Sequence, residues 1–196
     1  MVATGPRIDP RITRTRKLLL DAFMGLMAEK SFDDITVQDI AARATVNRAT
    51  FYAHFVDKYA LVDEMIRESF TQMLQQRMDT HAVNTEEHLR RLILAVCDYW
   101  TELRSHCKLS YRMFDSLVET QVKAQLREQV RAAMLARGAP RSHSNPRLEL
   151  LATIISWAIY GAALEWSQRP GGQSAEEFVE EALPLIAASI AAFEDR

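Results

Sequence analysis

Four side chains within one seven-residue stretch, Arg48, Thr50, Tyr52 and His54, bring together a forked cation, two hydroxyls and an imidazole. Arginine can reach base edges in a DNA groove, while hydroxyl and imidazole groups reach phosphates. Chemistry of that kind needs a short helix, polar in front and apolar behind. Phe51 and Phe55, four residues apart, supply the apolar back. An ordinary solvated face with a packed His54 would use the same residue types, so the flanking elements decide.

Those elements are legible. Thr36 is an N-cap residue with Asp39 three positions on, the spacing of a capping box. Val37, Ile40, Ala41 and Ala44 then share one helical face, and Asn47 caps a second helix. Two short helices joined by a tight turn make a helix-turn-helix pattern.

The run Thr50-Phe51-Tyr52-Ala53-His54-Phe55, followed by Asp57-Lys58 and preceded by an amphipathic helix, resembles the DNA-binding domain of tetracycline-repressor (TetR) family regulators. The resemblance is close over about the first 60 residues and beyond them holds in length and helical layout. It implies DNA contact by Thr36, Asn47, Arg48, Ala49, Thr50, Tyr52, His54 and Lys58. Arg48 and Thr50 are the expected base readers; Thr36, Tyr52, His54 and Lys58 are expected on phosphates. Ser31 and Thr45 stand where the family usually has glycine. If either takes a positive φ, it costs on the order of 1 kcal/mol relative to glycine.

A net charge of −2 does not by itself suggest a DNA partner, but the distribution is uneven. Residues 1–17 hold Arg7, Arg11, Arg14, Arg16 and Lys17 against Asp9, whereas residues 173–196 hold six acidic residues against Arg196. Beside a helix-turn-helix the basic end reads as a phosphate-contacting arm. Hydrophobic content of 48% is ample for a core, and the six glycines and six prolines are few and mostly cluster near apparent helix ends. No segment alternates as a strand does, so the expected fold is all-α, of about nine helices. A helix-turn-helix domain over residues 1–58 would be followed by a larger effector-binding and dimerisation domain over 59–196. Two cysteines fit a reduced compartment. With no signal peptide and no apolar run near the ~18 residues of a membrane span, the expected location is cytoplasmic, with no membrane partner.

Helices are expected over about 11–29, 57–80, 84–105, 117–137, 145–168 and 174–193, with a turn and short helix across 106–114. Cys97, Trp100, Tyr111, Met113, Phe114, Trp157 and Tyr160 are candidates to line a pocket for an apolar effector, although aromatic and Met side chains at helical spacing also simply pack. The last two helices are apolar over more than one face, so a partner should cover part of them. Ile154, Gly161, Ala162, Leu183, Ile186, Ala187 and Ile190 are the candidates for a two-fold four-helix interface. No spacing suggests a metal site, a cofactor or a nucleophile–base pair. The expectation is a homodimeric regulator, a repressor on a palindromic operator released by a small molecule. The alternatives are a helical protein-interaction module and a small-molecule-binding enzyme without DNA binding.

Overall fold

The computed structural model describes residues 9–78, 85–106, 111–139, 145–169 and 172–194, with the side chains of 105, 106, 111–114 and 194 outside that description. Among the described residues there are eight helices and no strand, one helix fewer than expected. They are α1 (Pro10–Met27), α2 (Val37–Arg43), α3 (Arg48–His54), α4 (Lys58–Arg77), α5 (Thr85–His106), α6 (Tyr111–Ala136), α7 (Pro146–Ser167) and α8 (Ala175–Glu194). The short helix expected across 106–114 falls partly outside the described residues, and its described end, from position 111, is the first turn of α6. No glycine or proline interrupts residues 111–117, and α6 runs continuously from Tyr111.

Local capping sets the helix starts. Asp9 accepts from the Arg11 N–H at 2.9 Å with Pro10 in the first turn, where its missing N–H costs nothing. Asp57 accepts from the Ala60 N–H at 2.8 Å and opens α4. Asn145 accepts from the Leu148 N–H ahead of Pro146. Ser174 and Glu177 exchange hydrogen bonds as a capping box at α8. Pro184 lies within α8, and the helix continues through it.

The chain separates into two compact units that part inside α4, between Met65 and Ile66. In the first, α1, α2 and α3 close over Leu19, Phe23, Phe32, Ile35, Ile40, Phe51 and Leu61, all fully buried. Ile12, in the first turns of α1 and beyond this core, is 45% exposed. In the second unit α5 packs against both α7 and α8. Along α6, Val118, Val122, Leu126, Val130 and Met134, four residues apart, form a buried stripe.

Two expectations about the last helices change. α7 is long and apolar enough to cross a membrane by length and composition, with a window of mean hydropathy 1.4, although 44% of that window is buried inside the protein. The buried face of α8 consists of Val179, Ala182, Leu183, Ile186 and Ile190. Leu183, Ile186 and Ile190 therefore belong to the unit's own core rather than to a surface that a partner could cover. Ala187 and Ala162 are half-buried; Ile154 and Gly161 are exposed. The outward apolar stripe of α7 is Leu150, Ile154, Trp157 and Gly161, and on α8 Leu185 stands 77% exposed.

Candidate nucleic-acid interface

The α2–turn–α3 element is built from its caps. The Thr36 N–H donates to Asp39 Oδ2 at 2.8 Å, and the Asp39 N–H donates to Thr36 Oγ1 at 3.1 Å. Lys30 Nζ also donates to Asp39 Oδ2, at 2.8 Å. Hydrogen bonds from Lys30 and then from Thr36 hold the Asp39 carboxyl well below its ordinary pKa. Thr36 is exposed, but its own O–H is engaged by Asp39 at 2.7 Å. Its part here is to start α2.

The turn closes as a Schellman motif, with the Thr45 N–H on Ala42 O at 3.1 Å and the Val46 N–H on Ala41 O at 2.9 Å. That geometry puts Thr45 at φ 58°, the one non-glycine residue with positive φ among those described; Ser31 stays in ordinary space. A β-branched residue there is strained by roughly 1–2 kcal/mol. Thr45→Gly is therefore expected to raise stability by about 1 kcal/mol, after the extra freedom of glycine in the unfolded chain. Urea unfolding should show a higher midpoint at unchanged slope.

Asn47 caps α3 by accepting from the Thr50 N–H at 2.7 Å and from the Thr50 hydroxyl at 3.0 Å. Phe51 is buried, edge-on to Tyr52 and tilted against Phe55. This fixes the opposite face outward: Arg48, Ala49, Tyr52 and Ala53 are exposed, and Thr50 and His54 are half-buried. Arg48 Nη2 donates to the Tyr52 hydroxyl at 3.1 Å, and the guanidinium sits 5.4 Å from the Tyr52 ring centroid.

Lys58 departs from the expectation of a phosphate contact. Its ammonium donates to Phe32 O and Ile35 O at 2.9 Å each and to Asp33 O at 3.3 Å, 4.3 Å from the Phe32 ring centroid. An ammonium has three N–H donors, and three carbonyls occupy them. Arg16, expected in the basic arm, also turns inward. It pairs with Glu64 at 3.0 Å, lies 4.7 Å from the Phe55 ring centroid and reaches His54 O at 3.4 Å. Arg43 pairs with Glu29. Arg11, Arg14 and Lys17 are exposed and make no ion pair among the described residues. Arg7 lies outside them.

The expected effector residues divide. Cys97, Trp100 and Tyr160 are buried, with the Trp100 and Tyr160 rings 5.8 Å apart. Burial pushes the Cys97 thiol up to about 12, which removes it from thiolate chemistry near neutrality. Burial raises the Tyr160 hydroxyl as well. Trp157 does not join them: it is 60% exposed, with Lys123 Nζ 3.3 Å from its ring centroid. The side chains of Tyr111, Met113 and Phe114, and Cys107, lie outside the described residues. A cleft of about 350 Å³ opens instead between the end of α7 and the start of α8, lined by Trp166, Phe178, Ala162, Ala182 and Leu185. Its residues lie in two stretches of sequence, and only the apolar runs of α7 and α8 hinted at it. Among the described residues, no group of three or more His, Cys, Asp or Glu side chains is gathered for a metal.

A capped short helix that presents an arginine and a tyrosine from a three-helix core, ahead of a larger helical unit, defines a helix-turn-helix protein. Residues 19–65 match the family described as bacterial regulatory proteins, tetR family. Over that stretch, which holds the helix-turn-helix, the chain is similar to the TetR family. It is 39% identical over 69 residues to the uncharacterised HTH-type transcriptional regulator YxbF of Bacillus subtilis strain 168, a match covering 35% of this chain and 18% of that protein. The chain spans between 18% and 44% of the length of the curated relatives it matches. A TetR transcriptional regulator of Streptococcus agalactiae 2603V has the same fold at TM-score 0.58 and 21% identity, over 90% of this chain and 95% of that one. So does the TetR family repressor AlkX of Dietzia sp. strain DQ12-45-1b, at 0.56 and 19%, over 94% and 98%.

Proposed function

We propose that the protein is a homodimeric transcriptional regulator that binds a palindromic DNA operator and is released from it by a small, largely apolar effector, acting as a repressor. The observation that carries the DNA partner is the outward face of α3. Arg48 and Tyr52 are exposed there on a helix locked by Asn47 and Phe51. The exposed cations Arg11, Arg14 and Lys17 add sequence-independent attraction. Thr36 and Lys58, engaged within the domain, are assigned to shape rather than contact.

For the two-fold partner, the outward stripe of α7 and Leu185 of α8 supply the apolar surface, so that two helices from each copy would form a four-helix bundle. Ile154 and Gly161 remain in that assignment; Leu150, Trp157 and Leu185 join it. The buried aromatic pair of Trp100 and Tyr160 supports an apolar effector in the larger unit. Such an effector shifts the DNA-binding equilibrium only by its differential affinity for two states of the dimer. The repressor role is carried over from relatives such as AlkX, described as a repressor. Action on genomic DNA would place the protein in the cytoplasm.

The test is a gel shift against DNA upstream of the protein's own coding sequence, titrated with salt. With six or more phosphates neutralised per dimer, affinity should fall on the order of a thousand-fold between 50 and 200 mM salt. A flat response would sink the DNA-binding reading, whereas saturable binding to protein or turnover of a small molecule would favour the alternatives.

A further inference from the structure

The outward face of α3 offers few groups able to tell one base pair from another, and the hydrogen bonds already made within it narrow them further. Asn47 could pair with adenine in bidentate fashion only through both its oxygen and its amide nitrogen. Its oxygen, however, accepts from the Thr50 N–H and the Thr50 hydroxyl. The Thr50 O–H is thereby engaged too. Ala49 and Ala53 are exposed but present only methyl groups, suited to a thymine methyl or to no contact. His54 is half-buried at the far end of the helix.

Arg48 is different. Of the five N–H donors of a guanidinium, one goes to the Tyr52 hydroxyl at 3.1 Å. The others stay available as a fork, and the group lies against the Tyr52 ring, 5.4 Å from its centroid. Tyr52 is itself oriented by the buried Phe51 ring, edge-on at 5.6 Å. An arginine side chain ordinarily loses much rotamer freedom on binding. Here the aromatic ring four residues on restricts it beforehand. A donor-only fork pairs best with the two major-groove acceptors of guanine, O6 and N7.

We propose that Arg48 reads one guanine in each half-site, that this is the dominant direct base contact of α3, and that Tyr52 is the positioning residue that aims the guanidinium. The inference rests on the DNA-binding reading and deepens it. Tyr52 keeps its own O–H for a phosphate while accepting from Arg48, so its hydroxyl serves base selection as well as affinity. Arg48 and Tyr52 are exposed, and neither supports the core.

The experiment selects duplexes from a random library with the full-length protein and with the variants Arg48→Lys and Tyr52→Phe, followed by sequencing and by competition with single-base operator variants. The wild type should enrich an inverted repeat with one strongly preferred guanine per half-site. Arg48→Lys keeps the charge but not the fork, and its preference for guanine at that position should fall about tenfold or more, with other positions unchanged. Tyr52→Phe keeps the ring and removes the acceptor, and should lower the same preference severalfold at the same position. Full retention of the guanine preference in Arg48→Lys would overturn the base assignment. A uniform loss of affinity in Tyr52→Phe, with base preference intact, would overturn the positioning role. Absence of any enriched sequence with the wild type would overturn the DNA-binding reading and the inference with it.

Discussion

Ile154→Arg is expected to convert the protein to a monomer and to abolish tight operator binding. Ile154 lies midway along the outward stripe of α7, between Leu150 and Trp157, both 60% exposed, and is itself 47% exposed. The spacing of Leu150, Ile154, Trp157 and Gly161 is that of a seam between packed helices. A seam of this size facing water is costly, and burying it against a second copy removes the cost. An arginine at its centre would carry an unpaired charge into that contact. Lys123, whose Nζ sits on the Trp157 ring, adds a like charge one turn away. The dimer should weaken at least a hundred-fold, about 3 kcal/mol, as read by sedimentation equilibrium. The folded monomer should survive with its helical signal and melting temperature nearly unchanged, because the side chain contributes little to the subunit's own core. A dimer unchanged at the same protein concentration would show that the two-fold contact lies elsewhere.

The same helices show where sequence reasoning reaches its limit. Caps are local: Thr36 with Asp39 and Asn47 cap the helices that the sequence assigned to them, and Asp57, Asn145 and Ser174 with Glu177 open helices near the expected starts at 57, 145 and 174. The stripe from Val118 to Met134 is equally legible, because only one face of α6 is apolar. α8 is apolar over most of its circumference, so periodicity cannot say which residues face inward. Leu183, Ile186 and Ile190 went into the core, and Leu185 remained outside. Trp157 is ambiguous for the same reason, since a tryptophan in an apolar helix reads as interior until its neighbours are known, and here it is exposed.

Basic residues were the other blind spot. Sequence distinguishes a free arginine from a bound one only when the partner is near in the chain, as with Arg48 and Tyr52, four apart. The contact of Arg16 with His54 spans 38 residues and that of Lys58 with Phe32 spans 26. The strain at Thr45 could be located in sequence by its place in the turn, but whether Thr45 or Ser31 would carry it depended on how α2 ends.

Lys58→Met should damage the fold of the first unit and leave the electrostatics of DNA binding almost untouched. The lysine lies at the start of α4, and its ammonium gathers Phe32 O, Asp33 O and Ile35 O, the carbonyls of the segment between α1 and α2. That segment makes only two short-range backbone bonds of its own, Asp34 to Ser31 and Ile35 to Phe32. The cation therefore closes a turn that carries the buried Phe32 and Ile35 side chains into the core. Methionine keeps the aliphatic stem but leaves the carbonyls with one donor group fewer, and it forfeits the contact of the cation with the Phe32 ring. Charge-assisted hydrogen bonds contribute about 1.5–3 kcal/mol. The half-buried position keeps the expected loss near 2–3 kcal/mol, roughly 5–10 °C in melting temperature for a chain of this size. Removing a phosphate-contacting lysine has a different signature: it reduces the slope of log affinity against log salt by about one. Measured below the melting transition, Lys58→Met should keep the wild-type slope, while Lys17→Met should lower the slope at unchanged stability. A reduced slope with an unchanged melting temperature for Lys58→Met would mean that the ammonium leaves its carbonyls for the DNA backbone.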